Sequence, residues 1–158
     1  MLTLHILRHA KTNPLSDSGK DFDRNLLEKG VNQAKSLGGY FKINNFQANK
    51  LYCSSALRTR KTISEVNKIH VFDNKIAYRE ELYLASLENL LDFIWIQEGE
   101  GSVFIIGHNE GVSDLVTYLT GTHVEIKTGT FVSISFDLNS WGKISASNGK
   151  VEDYFSPK

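Results

Sequence analysis

Apolar positions along the chain follow two rhythms. Leu2, Leu4 and Ile6 alternate with less apolar neighbours, Leu7 extends the run, and the pattern predicts a buried strand that stops at Arg8-His9. From Asn13 to Asn25 the chain turns polar, with Pro14, Ser16, Asp17, Ser18, Gly19 and Asp21, which is loop chemistry. A helical period follows from Glu28 to Phe41, with Val31, Ala34, Leu37 and Phe41 on one side and Gly38-Gly39 expected to weaken the last turn. Leu51-Tyr52-Cys53 predicts a second strand, and Ser54 or Ser55 an N-cap for a helix from about Ala56 to Lys68. The third strand falls on His70–Phe72 or Ile76–Tyr78, and the pattern does not choose. After a loop at Arg79–Tyr83, Ser86 is expected to cap a helix with Leu87, Leu90, Leu91, Ile94 and Trp95 as its apolar stripe. A glycine-containing turn over Glu98–Ser102 leads to Val103–Ile106, a continuous apolar run typical of a strand covered on both faces. It runs into Gly107-His108-Asn109-Glu110-Gly111 and a helix carrying Val112, Leu115, Val116 and Leu119. Phe131–Phe136 and Lys143–Ser147 alternate like strands around a turn at Asn139–Gly142.

The order β-α-β-α-β-α-β-α-β-β predicts an α/β fold of three αβα layers. Its sheet is mainly parallel, with an antiparallel hairpin at the C-terminus. The 158 residues, without repeats or a linker, are expected to form one domain over 1–158. Lys+Arg and Asp+Glu both number 18, so no bulk field draws the chain to nucleic acid or to an anionic membrane. Any anion preference must come from a local cluster. The single cysteine, Cys53, excludes an internal disulfide. The N-terminal apolar run is too short for a signal peptide, and no run reaches membrane-spanning length. A cytoplasmic location is expected, with neither nucleic acid nor membrane as partner.

Three strand ends carry the candidate chemistry: Arg8-His9, Ser54-Ser55-Ala56-Leu57-Arg58 and Gly107-His108-Asn109. In a parallel sheet the C-terminal strand ends share one edge, where ligands bind. Arg8, His9, Arg58 and His108 are therefore expected in one crevice. Four such groups repel one another unless an anion is the guest. Arg58 and His108 fall near helix N-termini, which favour anions, with Gly107 expected to allow close backbone approach. Arginine forks match phosphate oxygens. With no Cys, Ser or Asp in an obvious nucleophile setting, histidine itself is the candidate nucleophile. His9 is the better choice, because flanking positive charge keeps an imidazole neutral near pH 7. His108 is assigned hydrogen-bond donation to the phosphoryl oxygens. Lys11, Thr12 and Arg24 are substrate-binding candidates at the pocket mouth. Asn109 either bonds the phosphate or caps the following helix. His5, His70 and His123 lie off the motif positions and read as structural, and Cys53 as a small buried hydrophobe. No His-x-x-x-His or Cys-x-x-Cys spacing occurs and the arginines repel cations, so neither metal nor cofactor is expected.

Arg8-His9-Ala10-Lys11-Thr12 resembles the R-H-G/A signature of the histidine phosphatase (phosphoglycerate mutase-like) superfamily. Ser54 to Thr62 resembles its S-x-x-x-R-x-x-x-T segment and Gly107-His108-Asn109 its second-histidine motif, so the resemblance covers nearly the whole chain in order. The short length, the Arg-His-Ala-Lys start, Asp23-Arg24-Asn25-Leu26 and Gly30 resemble the compact SixA-type branch, whose named activity is protein phosphohistidine phosphatase. Where that branch usually has R-P-L, this chain has Arg24-Asn25-Leu26, which loses a proline's rigidity and keeps the arginine.

The resemblance implies a phosphoglycerate mutase-like fold and a two-step transfer. His9 takes the phosphoryl group, water then releases inorganic phosphate, and Arg8, Arg58 and His108 hold the oxygens. It also implies an acid near the leaving group, with Glu81 the first candidate and Glu80 the second. The expected partner is a phosphorylated protein, phosphohistidine above all, or a small phosphomonoester. Mutases of the superfamily are longer, with lid segments, so an open pocket suited to a protein-borne phosphate is expected here. A small-metabolite phosphomonoesterase and a non-catalytic phosphate-binding module are the alternatives.

Overall fold

The computed structural model describes residues 1–158. Its strands are β1 (Leu2–Arg8), β2 (Lys50–Ser54), β3 (Ile76–Arg79), β4 (Gly101–Gly107), β5 (Phe131–Phe136) and β6 (Gly149–Phe155), and its helices are α1 (Glu28–Ile43), α2 (Leu57–Asn67), α3 (Leu87–Trp95) and α4 (Gly111–Thr120). The strands form one sheet in the order β3-β2-β4-β1-β5-β6. β1 to β4 run parallel, β5 is antiparallel to β1, and β6 is antiparallel to β5. Arg8 lies opposite Gly107 and Cys53 opposite Ile106, so β1, β2 and β4 end at one edge of the sheet.

Alternation along each strand divides the core into two layers. Leu2, Leu4, Ile6, Val103, Ile105, Val132 and Ile134 pack against Leu90, Ile94, Leu115 and Val116 of α3 and α4. Leu7, Phe104, Ile106 and Phe131 pack against Leu37, Phe41, Ile63 and Val66 of α1 and α2. His5 belongs to this second layer: its ring stacks on Phe131 at 5.8 Å and its Nδ1 meets Ser133 Oγ at 2.6 Å.

Several boundaries differ from the sequence reading. The third strand is Ile76–Arg79; His70 and Phe72 are buried loop residues, with His70 bonded to the Phe46 carbonyl. The final strand is Gly149–Phe155 rather than 143–147. Trp141 and Ile144 are both buried, at the i, i+3 spacing of a single 3₁₀ turn that only mimics alternation. In β6 the alternation is masked because Asp153 sits in the inward row, where Tyr40 donates to its carboxylate. α1 passes through Gly38-Gly39 to Ile43, since a side chain at Gly38 would meet Ile69 and Val66 of the α2 end at 3.0–3.1 Å. α3 buries Phe93 with Leu90, Leu91 and Ile94 and leaves Trp95 largely exposed. Ser86 accepts from Asn89 N at 3.2 Å as expected of an N-cap. α2, by contrast, is preceded by Ala56 with no side-chain cap, and Ser54 Oγ, which accepts only a long bond from Ala56 N, makes its short one to His108.

Candidate active site

The end of β1 is fastened by side chains of α1 and α2. Ala10 N donates to Thr62 Oγ1 at 3.0 Å, and that hydroxyl donates to the Arg58 carbonyl at 2.7 Å. The threonine of the second motif thus ties the histidine loop to the helix that carries Arg58. Lys11 N donates to Gln33 Oε1 at 2.9 Å. Gly30 lets α1 abut the same residue, since a Cβ there would stand 2.1 Å from the Lys11 carbonyl oxygen. Gly107 has a milder role than expected, with only a Val112 methyl near its missing Cβ.

Arg8, His9, Lys11, Thr12, Arg24, Arg58 and Asn109 line one cavity of about 520 Å³. His108 stands against it, its ring centroid 5.4 Å from that of His9. Arg24 donates to Thr12 Oγ1 and, through Nε, to the Asn13 carbonyl at 2.8 Å. Asn109 lines the cavity and also accepts from Ser113 N at 3.2 Å in the first turn of α4.

His9 Nδ1 lies 2.8 Å from the Ala10 carbonyl, which can only accept. The proton therefore sits on Nδ1, and Nε2 carries the lone pair. His108 Nε2 lies 2.7 Å from Ser54 Oγ, and that oxygen already accepts from Ala56 N at 3.4 Å. Ser54 is fully buried and His108 Nε2 is the one acceptor in reach of its hydroxyl, so the hydroxyl donates to Nε2 and His108 keeps its own proton on Nδ1. Each arginine is gripped at one end. Arg8 Nη1 donates to the Ile126 carbonyl at 3.0 Å. Arg58 Nη1 donates to the Asp21 carbonyl at 2.9 Å and its Nη2 to Asp21 Oδ2 at 3.0 Å. Only three buried side-chain polar atoms in the chain lack a protein partner: Arg8 Nε, Arg58 Nε and His108 Nδ1. All are donors and all belong to this site, which leaves them open to acceptor oxygens beside a neutral imidazole.

Both imidazoles are held neutral. Burial is the largest cause for His9, followed by the charges of Arg58, Arg8 and Arg24 against the Ala10 hydrogen bond, and together they bring it down to about 4. Burial also leads for His108, with Arg58, His9 and Arg8 adding to it, and its value falls to about 3. Desolvation thus outweighs the cationic neighbours that the sequence reading put first.

Glu81 is a correction. It does not line the cavity; it is 58% exposed and meets Arg79 at 3.5 Å. Residues 80–82 form a 3₁₀ turn anchored by buried Leu82, which sends both glutamates to solvent and Tyr83 toward the site. Tyr83 packs edge-on against His108 at 5.4 Å, lies under the Arg58 guanidinium at 5.8 Å and donates to Asp21 Oδ2. Asp21 accepts from Arg24 as well, at 3.1 Å. Tyr83 donation leads, and the Arg58 and Arg24 bonds add to it against burial, in holding the Asp21 carboxyl down to about 2. The sequence reading gave no role to Ser54 beyond a cap, nor to Asp21 or Tyr83. The i, i+3 spacing of Asp21 and Arg24 was the available signal for Asp21, and nothing in the sequence marked Tyr83.

The arrangement defines a class. The family profile described as "Histidine phosphatase superfamily (branch 1)" matches residues 4–83, and the chain belongs to that superfamily and is a phosphatase of it. Among its relatives, an uncharacterized protein of Mycobacterium leprae is 28% identical over 134 residues, covering 82% of this chain and 81% of its own. In structure the chain is similar to the protein histidine phosphatase SixA solved with tungstate, at 22% identity and TM-score 0.81, over 98% of this chain and 97% of that one. It is also similar to a protein of Agrobacterium tumefaciens assigned to SixA, at 22% identity and TM-score 0.84 with the same coverage. The fold is therefore the phosphoglycerate mutase-like fold in its compact, SixA-type form.

Proposed function

We infer that residues 1–158 act as one domain that removes phosphate from a phosphohistidine borne on a protein, through a phosphoenzyme at His9. The observation that carries the reading is the free Nε2 of His9 in the one site that also holds three unpartnered polar atoms, Arg8 Nε, Arg58 Nε and His108 Nδ1. Nε2 attacks phosphorus, the bond to the leaving group breaks, and the donors take the charge that develops on the phosphoryl oxygens. Water then attacks the phosphoenzyme, inorganic phosphate leaves, and His9 returns to its neutral form. Lys11, Thr12, Arg24 and Asn109 shape the approach. The tetrahedral tungstate bound by SixA supports an oxyanion guest for this related fold.

Leaving-group chemistry favours phosphohistidine over an alkyl ester. An alkoxide must be protonated as it departs, and the one carboxylate in the cavity wall, Asp21, is ionised. A phosphohistidine ring protonated on its second nitrogen meets that demand itself and leaves as neutral imidazole. Exposed Leu15, Leu27 and Leu84 near the opening suit a protein partner better than a small metabolite. A cytoplasmic setting accords with free, buried Cys53, and no helix is long and apolar enough to cross a membrane. The test is turnover, without added metal, of a histidine-phosphorylated protein against a panel of phosphometabolites, compared by kcat/KM. The phosphoprotein is expected to lead by at least about ten-fold, a difference of about 1.4 kcal/mol in transition-state stabilisation. A metabolite in first place would overturn the assignment.

A further inference from the structure

Asp21 stands in the cavity wall, and the two-step transfer gives it no task. It is the only carboxylate among the lining residues. Its Oδ2 accepts from Arg58 Nη2 and Tyr83, and its Oδ1 from Arg24 Nη1 alone. An ionised carboxylate offers about four acceptor positions, so three are filled and one on Oδ1 remains. The side chain is 44% exposed whereas that of Arg58 is 4%, which puts Asp21 at the mouth and the arginine at the floor. A fixed negative charge therefore stands where a leaving group departs from an otherwise cationic cavity. There it repels an anionic leaving group and stabilises a substrate ring that carries positive charge before the bond breaks.

We propose that Asp21 determines specificity for a ring that is cationic while bound to phosphorus and departs neutral, the protonated ring of a phosphohistidine, by accepting its N–H at the free position of Oδ1. The proposal rests on the phosphohistidine reading above and deepens it. The substrate ring carries the phosphoryl group on one nitrogen and a proton on the other. As the His9 Nε2 lone pair forms the new P–N bond, the electron pair of the old P–N bond goes to the ring nitrogen. The ring leaves as neutral imidazole with the proton that it brought. No proton comes from the enzyme, as suits a carboxylate locked in the acceptor state by Arg58, Arg24 and Tyr83. The same charge works against metabolites whose own carboxylate would approach Asp21.

The experiment compares wild type, Asp21→Asn and Asp21→Glu on phosphoimidazole and on an aryl phosphate. Both probes pass through the same His9 step, but the aryl leaving group carries no ring proton. In Asp21→Asn, kcat/KM is expected to fall roughly thirty-fold on phosphoimidazole and about three-fold on the aryl phosphate, the smaller loss reflecting the weakened hold on Arg58. The carboxylate favours the protonated ring, so its loss moves the alkaline limb of kcat on phosphoimidazole to lower pH, a shift that a structural role alone would not produce. Asp21→Glu keeps the charge and retains most of the wild-type preference. Equal losses on both probes, an unmoved limb, or a glutamate variant that behaves like the asparagine one would overturn the proposal. Failure of the underlying phosphohistidine reading shows separately and earlier, as a wild type that cleaves the aryl phosphate and ignores both phosphoimidazole and a histidine-phosphorylated protein.

Discussion

Arg8, His9 and His108 leave β1 and β4 at one edge of the sheet, whereas Asp21 and Arg24 reach the cavity from a loop and Tyr83 supports Asp21 from another. The first group is fixed by main-chain register: Arg8 lies opposite Gly107, and His9 N donates to the Gly107 carbonyl at 3.1 Å. His9 and His108 are buried, and their protonation states are set by desolvation. The second group is held by contacts among side chains, is partly exposed, and is joined to the first mainly through Arg58. The difference separates two tasks. On the function proposed above, the strand-end cluster provides chemistry common to any phosphoryl group, and the loop rim bears on what that group is attached to.

Removing the centre of the first region should have the largest effect. His9→Ala is expected to lower kcat by about 10⁴-fold or more, read as steady-state turnover of an aryl phosphate. Arg58→Ala should cost roughly 10²–10³ in kcat, the scale of losing a donor to developing charge, and it should also loosen the rim by freeing Asp21.

Acid provides a test of the cluster without mutation. His5 and His9 have values near 4, and His108 near 3, all below the ordinary 6.5. The unfolded chain therefore binds more protons than the folded one in this window. Stability is complete above about pH 6.5 and falls as pH drops toward 4, by on the order of a few kcal/mol. Asp21 acts only lower, as pH falls from 3.8 toward about 2. Urea unfolding midpoints across pH 4–7.5 check the sign.

Gly30→Ala places a methyl against the Lys11 carbonyl oxygen and should destabilise the fold by about 1–3 kcal/mol, measured by the same midpoints. The smallest expected effect is that of Ser54→Ala. Loss of the hydrogen bond to His108 Nε2 should lower kcat roughly ten-fold, equivalent to about 1.4 kcal/mol, and alter the ¹⁵N signature of the His108 tautomer. A kcat loss with an unchanged tautomer would detach Ser54 from the role assigned to it.

The same contrast explains what was legible in the sequence. Leu2, Leu4 and Ile6 obey a period of two and 103–106 is an unbroken apolar run, so strand ends and the residues they deliver follow from pattern and topology alone. Arg8, His9, Arg58 and His108 meet as that logic requires. Loop partners obey no period. Glu81 and Tyr83 are two residues apart, and only the burial of Leu82 decides which of them turns inward. Ser54 resembled a cap because its distant partner, His108, is 54 positions away. Asp153 hid β6 for a similar reason, since its partner Tyr40 lies on α1, 113 positions earlier.

The most direct test of the account is to quench the reaction with a labelled phosphodonor before hydrolysis and map the adduct. An acid-labile, base-stable phosphoryl group on Nε2 of His9, absent from His9→Ala, is the predicted result. Turnover with the label on any other residue, or with no phosphoenzyme at any quench time, would contradict it.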